Sequence, residues 1–260
     1  MAGEPGPPFA DLTILEDGAA ALGVALDAVQ LDQFRRYGEQ LLAMNEVMNL
    51  TAITDPAQVQ ILHFLDALSL VPAIRAWSAA SLRDDPTLLD VGSGAGIPGI
   101  LIKIALPELR VTLLDATGKR IRFLQDTIAH LGLRGIGAVQ GRAEELGRHP
   151  EWREQFDLVT ARALARLPTL LEWCLPFVRV GGLLIAPKAG DLTVEMMQGA
   201  KAAFFLGGRL RDLEPLTLPE LPGRALALTD KVGPTFPRYP RGAGLPVKEP
   251  LGVELDVNDE

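Results

Sequence analysis

From Thr87 onward the chain alternates short apolar runs with helical stretches, and this alternation constrains its fold more than any other feature. The runs Thr87–Val91, Val111–Asp115, Gly135–Val139, Phe156–Thr160 and Leu183–Pro187 each read as a buried strand. Helical stretches separate and follow them at Pro98–Leu106, Lys119–Leu131, Pro168–Val178 and Leu192–Leu206. Strand–helix units of about 30 residues imply a parallel sheet with right-handed crossovers, an α/β fold. Two more strands, Arg209–Leu218 and Arg224–Asp230, joined across Pro219–Gly223, suit an antiparallel pair completing one open sheet.

The first strand runs into Leu88-Leu-Asp-Val-Gly-Ser-Gly-Ala-Gly-Ile-Pro-Gly99, where four glycines stand between a strand and a helix. Glycine there permits a tight turn and close approach of a ligand to the backbone. The dinucleotide pattern G-x-G-x-x-G fits Gly94, Gly96 and Gly99, whereas the lysine and hydroxyl that close a P-loop are missing. Asp90 ends the strand two residues before Gly92, so its carboxylate is expected beside the loop, where it suits a cationic ligand better than a pyrophosphate. S-adenosyl-L-methionine carries an ammonium and a sulfonium, and Asp-x-Gly-x-Gly-x-Gly is the form its methyltransferases use. Asp115 ends the second strand, 25 residues on, where an acid can accept both ribose hydroxyls, a feature shared with nicotinamide enzymes. Glu144, after the third strand, is placed to meet an adenine amine.

Residues 1–9 read as a disordered start, 10–84 as a helical N-terminal cap, 85–232 as the α/β domain, and 233–260 as an extended arm and acidic tail. In the cap, Phe34, Tyr37, Leu41, Leu42 and Met48 recur at helical spacing, and Asp55-Pro56 reads as a helix start. No window approaches the ~18 consecutive apolar residues of a spanning helix, and the N-terminus lacks the pattern of a secretory signal. With one cysteine, Cys174, read as a buried core thiol, a cytoplasmic location is expected. The formal charge of −8 argues at first against nucleic acid, but its distribution is uneven. Residues 1–34 and 249–260 carry eleven acids and no base, leaving 22 acids against 25 bases between them.

With the flanking segments added, the chain resembles the bacterial 16S rRNA (guanine-N7) methyltransferase family, also called glucose-inhibited division protein B. The residues that carry the resemblance are Asn49-Leu-Thr-Ala-Ile-Thr-Asp-Pro56, His63-Phe-Leu-Asp-Ala-Leu68, Asp90–Gly99, Leu114-Asp-Ala-Thr-Gly-Lys-Arg120, Gly141-Arg-Ala-Glu-Glu145, Thr160-Ala-Arg-Ala163 and Gly181–Lys188. It spans about Tyr37 to Thr229. It implies a class I S-adenosylmethionine-dependent methyltransferase fold, Rossmann-like, with a seven-stranded mostly parallel sheet and a helical N-terminal extension. It further implies methyl transfer to N7 of a guanine in the decoding-region loop of 16S rRNA. By position, cofactor contacts fall on Gly92, Ile97, Asp115, Ala116, Thr117, Ala143, Glu144 and Arg162. Ala189 departs from the family, which often has glycine after the lysine.

Guanine N7 offers a lone pair and carries no proton, so it can attack a sulfonium methyl without a general base; no catalytic acid or base is assigned. His63, His130 and His149 are scattered without ligand spacing, so no metal is expected. Lys119, Arg120, Arg122, Arg134, Arg142 and Arg166 are candidate RNA phosphate contacts, with a solvated face as the alternative for each. Asn49, His63 and Asp66 are candidates for the substrate side, His63 and Asp66 equally for a bond locking the cap. The expected partner is 16S rRNA or the small ribosomal subunit, met by a monomer, with no membrane. The cofactor motifs alone leave open a small-molecule or protein methyltransferase, a nucleotide-dependent dehydrogenase, or a binding module.

Overall fold

The computed structural model describes residues 8–81 and 83–253. The N-terminal part is helical: α1 (Thr13–Ala21), α2 (Ala28–Met48), then α3 (Pro56–Val59), a π-helical turn Gln60–Leu65, α4 (Asp66–Leu68) and α5 (Val71–Ser81). A capping box opens α2, with Gln30 N donating to Asp27 and Asp27 N donating to the Gln30 side chain. Asn49 closes it in the left-handed region, at φ 50°. Phe34, Tyr37, Gly38 and Leu41 form its buried stripe. Asp55 caps α3, accepting from Gln58 N, with Pro56 in the first turn, as the sequence signals. The helical run Pro56–Ser81 is long and apolar enough to cross a membrane, but 67% of its most apolar window is buried inside the fold, as in a core helix.

The α/β part follows as β1 (Thr87–Val91), α6 (Gly99–Ala105), β2 (Arg110–Asp115), α7 (Gly118–His130), β3 (Ile136–Gln140), α8 (Ala143–Leu146), β4 (Phe156–Thr160), α9 (Leu167–Cys174) and β5 (Val178–Ala189). It ends with α10 (Thr193–Phe205), β6 (Gly208–Leu210), β7 (Glu214–Pro215), β8 (Arg224–Lys231) and α11 (Leu245–Lys248). The strand order is β3-β2-β1-β4-β5-β8-β6, with β7 also on β8. Pairings from β3 to β5 are parallel and those of β8 antiparallel. The sheet is thus Rossmann-like, but it has eight strands where seven were expected. The expected strand Arg209–Leu218 is two short pieces, β6 and β7, pairing with different parts of β8. Beyond β3 the chain crosses back to lay β4 on the other side of β1, and the reversal opens a crevice at the carboxyl ends of β1 and β4.

One apolar core joins the cap helices to α6 and α7, and a second lies under α9 and α10. Cys174 ends α9 fully buried in the second, which pushes its thiol pKa up. Two expectations at the ends need correction. Phe9, assigned to a disordered start, is buried and stacks on Phe64; residues 1–7 lie outside the described residues. The segment read as an extended arm packs against the α/β part. Arg241 pairs with the buried Glu172 of α9 at 2.7 Å, Thr169 donates to Pro246 O, Thr235 donates to Leu206 O, and beside it Lys231, at the end of β8, donates to Leu175 O and Leu206 O. Burial pushes Lys231 down to about 8. The acidic tail from residue 254 lies outside the described residues. At the family departure, Ala189 ends β5 and the positive φ of the turn falls on Gly190 instead, at 87°.

Candidate active site

A cavity of about 370 Å³ opens at the crevice, within the range of small-molecule sites. The end of β1 contributes Val91 and Gly92, and the end of β2 contributes Leu114, Asp115, Ala116 and Thr117. Gly141–Glu144 after β3 and Arg162–Leu164 after β4 form further walls, with Arg120 and Trp173. Seven of the eight residues expected to hold a cofactor therefore share one cavity: Gly92, Asp115, Ala116, Thr117, Ala143, Glu144 and Arg162. Ile97 is the exception. It turns into the core beyond the glycine loop and is absent from the cavity wall. Trp173 gave no sequence signal, because an aromatic residue on α9 reads equally well as core.

The glycine loop is held by its neighbours. Gly92 N and Ser93 N both donate to Leu114 O, and Gly94 N donates to Asp115 Oδ2 at 3.0 Å. Gly92 has φ 72°, and a Cβ on it would lie 2.5 Å from Leu164 Cδ1, so a side chain there would push the β4 loop away. Asp90 departs from expectation. Its carboxylate lies beneath the loop, fully buried, with Oδ2 accepting from Gly99 N at 3.1 Å and Oδ1 without a hydrogen-bond partner. The approach is possible because residue 99 lacks a Cβ, which would sit 2.8 Å from Oδ2. Burial raises the Asp90 pKa to about 7, against the opposing pull of the Gly99 N–H.

Asp115 Oδ1 accepts from Thr117 N at 2.8 Å, while its Oδ2 also takes a long 3.4 Å contact from Arg120. A carboxylate offers about four acceptor sites, so Oδ1 retains room for a hydroxyl, and Oδ2 gains it when Arg120 swings out. Glu144 accepts two bonds from Arg142 on Oε1, which leaves Oε2 for a donor in the cavity.

Arg162 carries the link to the cap. It donates to Asp66 Oδ2 and Leu62 O, at 2.8 and 2.9 Å, and to His63 Nδ1 at 2.9 Å. The π-helical turn brings these three acceptors to one side, a use such turns often serve at functional sites. A guanidinium only donates, so Nδ1 accepts and His63 donates from Nε2 to Thr51 Oγ1 at 2.8 Å. Burial, with the Arg162 charge, lowers the His63 pKa to about 4, keeping the ring neutral. His63 and Asp66 thus lock the cap and do not line the cavity, and Asn49 serves as the exposed cap of α2.

Of the basic candidates, Arg120 and Arg142 stand on the cavity wall, paired with Asp115 and Glu144. Lys119 donates to Val47 O and Arg166 to Gln198, while Arg122 and Arg134 are exposed away from the cavity wall. Among the described residues no group of three or more His, Cys, Asp or Glu could hold a metal ion.

The family model for rRNA small subunit methyltransferase G matches residues 30–219. The ribosomal RNA small subunit methyltransferase G of Roseiflexus sp. (strain RS-1) is 45% identical over 92% of this chain and 100% of its own length. That of Dehalococcoides mccartyi (strain CBDB1) is 46% identical over 90% of this chain and 97% of its own length. Among solved structures, MtNAS in complex with MTA and tNA superposes with a TM-score of 0.50 at 15% identity, covering 84% of this chain and 82% of that one, a likeness of fold.

Proposed function

The chain belongs to the rRNA small subunit methyltransferase G family, and from that membership we propose that its activity, S-adenosylmethionine-dependent methylation of small-subunit ribosomal RNA, is directed to N7 of a guanine in the decoding-region loop of the 16S molecule. The observation that carries the cofactor assignment is the single cavity shared by Gly92, Asp115, Ala116, Thr117, Ala143, Glu144 and Arg162. The residues fit that cofactor. Asp115 has acceptor capacity for the ribose hydroxyls, Glu144 Oε2 for the adenine amine, and Asp90, buried behind the loop with Oδ1 unpartnered, is a carboxyl whose ionised form a cationic ligand would favour.

When bound, the cofactor would supply an electrophilic methyl group on a sulfonium, and its transfer to N7 would leave a neutral thioether and a cationic base. The protein's task is placement. N7 has no proton to lose, so a general base has no role before transfer, and rate comes from holding the two reactants in line. The β4 loop, fixed through Arg162, forms one wall of the cavity, with Leu164 close against Gly92. The proposed substrate is 16S rRNA or the small ribosomal subunit, met in the cytoplasm by a monomer.

Tritium transfer from labelled S-adenosylmethionine to small ribosomal subunits, to protein and to small molecules tests this. The expected label is in RNA and runs with 7-methylguanosine after digestion. Label in another nucleoside overturns the N7 assignment, and label only in protein or small molecules overturns the RNA substrate.

A further inference from the structure

Within the glycine loop, the N–H groups of residues 92, 93, 94 and 96 find acceptors on β2 or in the loop itself. The Ala95 carbonyl has a different partner. Tyr37, on α2 of the cap, donates its hydroxyl to Ala95 O at 2.9 Å across 58 residues of chain. The Tyr37 ring is fully buried, set edge-on to Phe64 with centroids 6.0 Å apart. That burial pushes the phenol pKa well above its usual range, so the hydroxyl stays a donor at every working pH. Asp115 holds Gly94 N from β2 and Tyr37 holds Ala95 O from α2, so two successive loop residues are gripped by two different elements.

We propose that Tyr37 is a positioning residue, holding the glycine loop from the cap in the shape that receives the cofactor. Phenylalanine fills the same space but carries no hydroxyl to donate to Ala95 O. The loop then loses the Tyr37 bond to Ala95 O, and a buried carbonyl short of a donor favours other loop shapes. The inference rests on the S-adenosylmethionine reading of the cavity.

The test is calorimetric titration of S-adenosylmethionine into wild type, Tyr37→Phe and Gln33→Ala. Gln33 also ties the cap to the α/β part, donating to Leu131 O at 3.1 Å, but at the far end of α7. Tyr37→Phe is expected to weaken cofactor binding about five- to tenfold, the effect of one buried hydrogen bond. Its KM for the cofactor rises while its KM for ribosomal subunits holds, and Gln33→Ala leaves both at wild-type values. Unchanged affinity in Tyr37→Phe, or equal loss in both variants, overturns the proposal. A wild type that binds no S-adenosylmethionine overturns the cofactor reading itself, and the proposal with it.

Discussion

Arg162 and Asp66 meet at 2.8 Å with the carboxylate fully buried, joining the β4 loop of the α/β part to the helical cap across 96 residues of chain. Arg224 stands 3.6 Å from the other Asp66 oxygen, which has no hydrogen bond of its own. The cap is therefore fastened to the wall of the cavity by a buried charge as well as by apolar contact.

Removing that carboxylate leaves two guanidinium groups facing a hole. Asp66→Ala is expected to cost about 3–5 kcal/mol, a fall in Tm of roughly 6–20 °C for a chain of this size. Asp66→Asn, which keeps the shape and one acceptor, is expected to lose less. Thermal melts of the two variants against wild type measure this, and a wild-type Tm for Asp66→Ala contradicts the linkage.

Asp115 serves the loop and the cavity together. Asp115→Ala is expected to weaken S-adenosylmethionine binding by at least about tenfold, since hydrogen bonds to a charged group contribute about 1.5–3 kcal/mol. Asp115→Asn retains an acceptor toward Thr117 N and is expected to lose less. Calorimetry reads both, and unchanged affinity in Asp115→Ala removes it from the site.

Two buried groups give stability opposite dependences on pH. The folded-state pKa of His63 is lowered from 6.5 to about 4, so its contribution is present above about 6.5 and is lost as pH falls toward 4. Asp90 is raised from 3.8 to about 7, so its contribution is present below about 4 and is lost as pH rises through 7. Between about 4 and 6.5 the two slopes oppose each other. Denaturant unfolding across that window is expected to show stability rising more steeply with pH in Asp90→Asn than in wild type, and falling in His63→Gln. Three parallel curves contradict both assignments.

The basic residues divide by place. Arg120 touches Asp115 on the cavity wall, so Arg120→Glu is expected to weaken both cofactor and RNA binding. Arg122 is exposed one position from the buried Phe123, and Arg122→Glu is expected to weaken RNA binding while sparing the cofactor. A phosphate contact there also lowers the slope of log K against log salt by about 0.7–0.9 when removed. RNA titrations at several salt concentrations measure it, and an unchanged slope excludes Arg122 from the phosphate contacts.

The central strands were legible in the sequence because their signal is local. β1 and β4 begin and end where the apolar runs Thr87–Val91 and Phe156–Thr160 do. At the edge, pairing with one neighbour only makes strand limits depend on tertiary contacts, and Arg209–Leu218 broke into two pieces there. The placement of Asp115, which ends β2, and of Glu144, in α8 just after β3, on one cavity was legible because the carboxyl ends of successive parallel strands open on the same side of the sheet. The turn of the Ile97 side chain into the core was not legible, since spacing along a loop does not encode whether a side chain faces the cavity or the core. Phe9 and the segment after Lys231 have the Gly/Pro-rich setting of loose chain, and only partners far away in sequence, Phe64 for one and Glu172 for the other, explain their burial.

The pairing of Asp66 with Arg162 also sets an order on the birth of the molecule. As the chain leaves the ribosome, the cap emerges first, but the cation that neutralises its buried carboxylate is made 96 residues later. The glycine loop that Tyr37 bonds follows after 58 residues, well before Arg162, so the apolar face around Phe64 and Tyr37 meets its loop before Asp66 meets its charge partner. The buried carboxylate of the cap is thus completed only by the segment after the fourth strand, which ties the finished cap to a late part of the α/β unit.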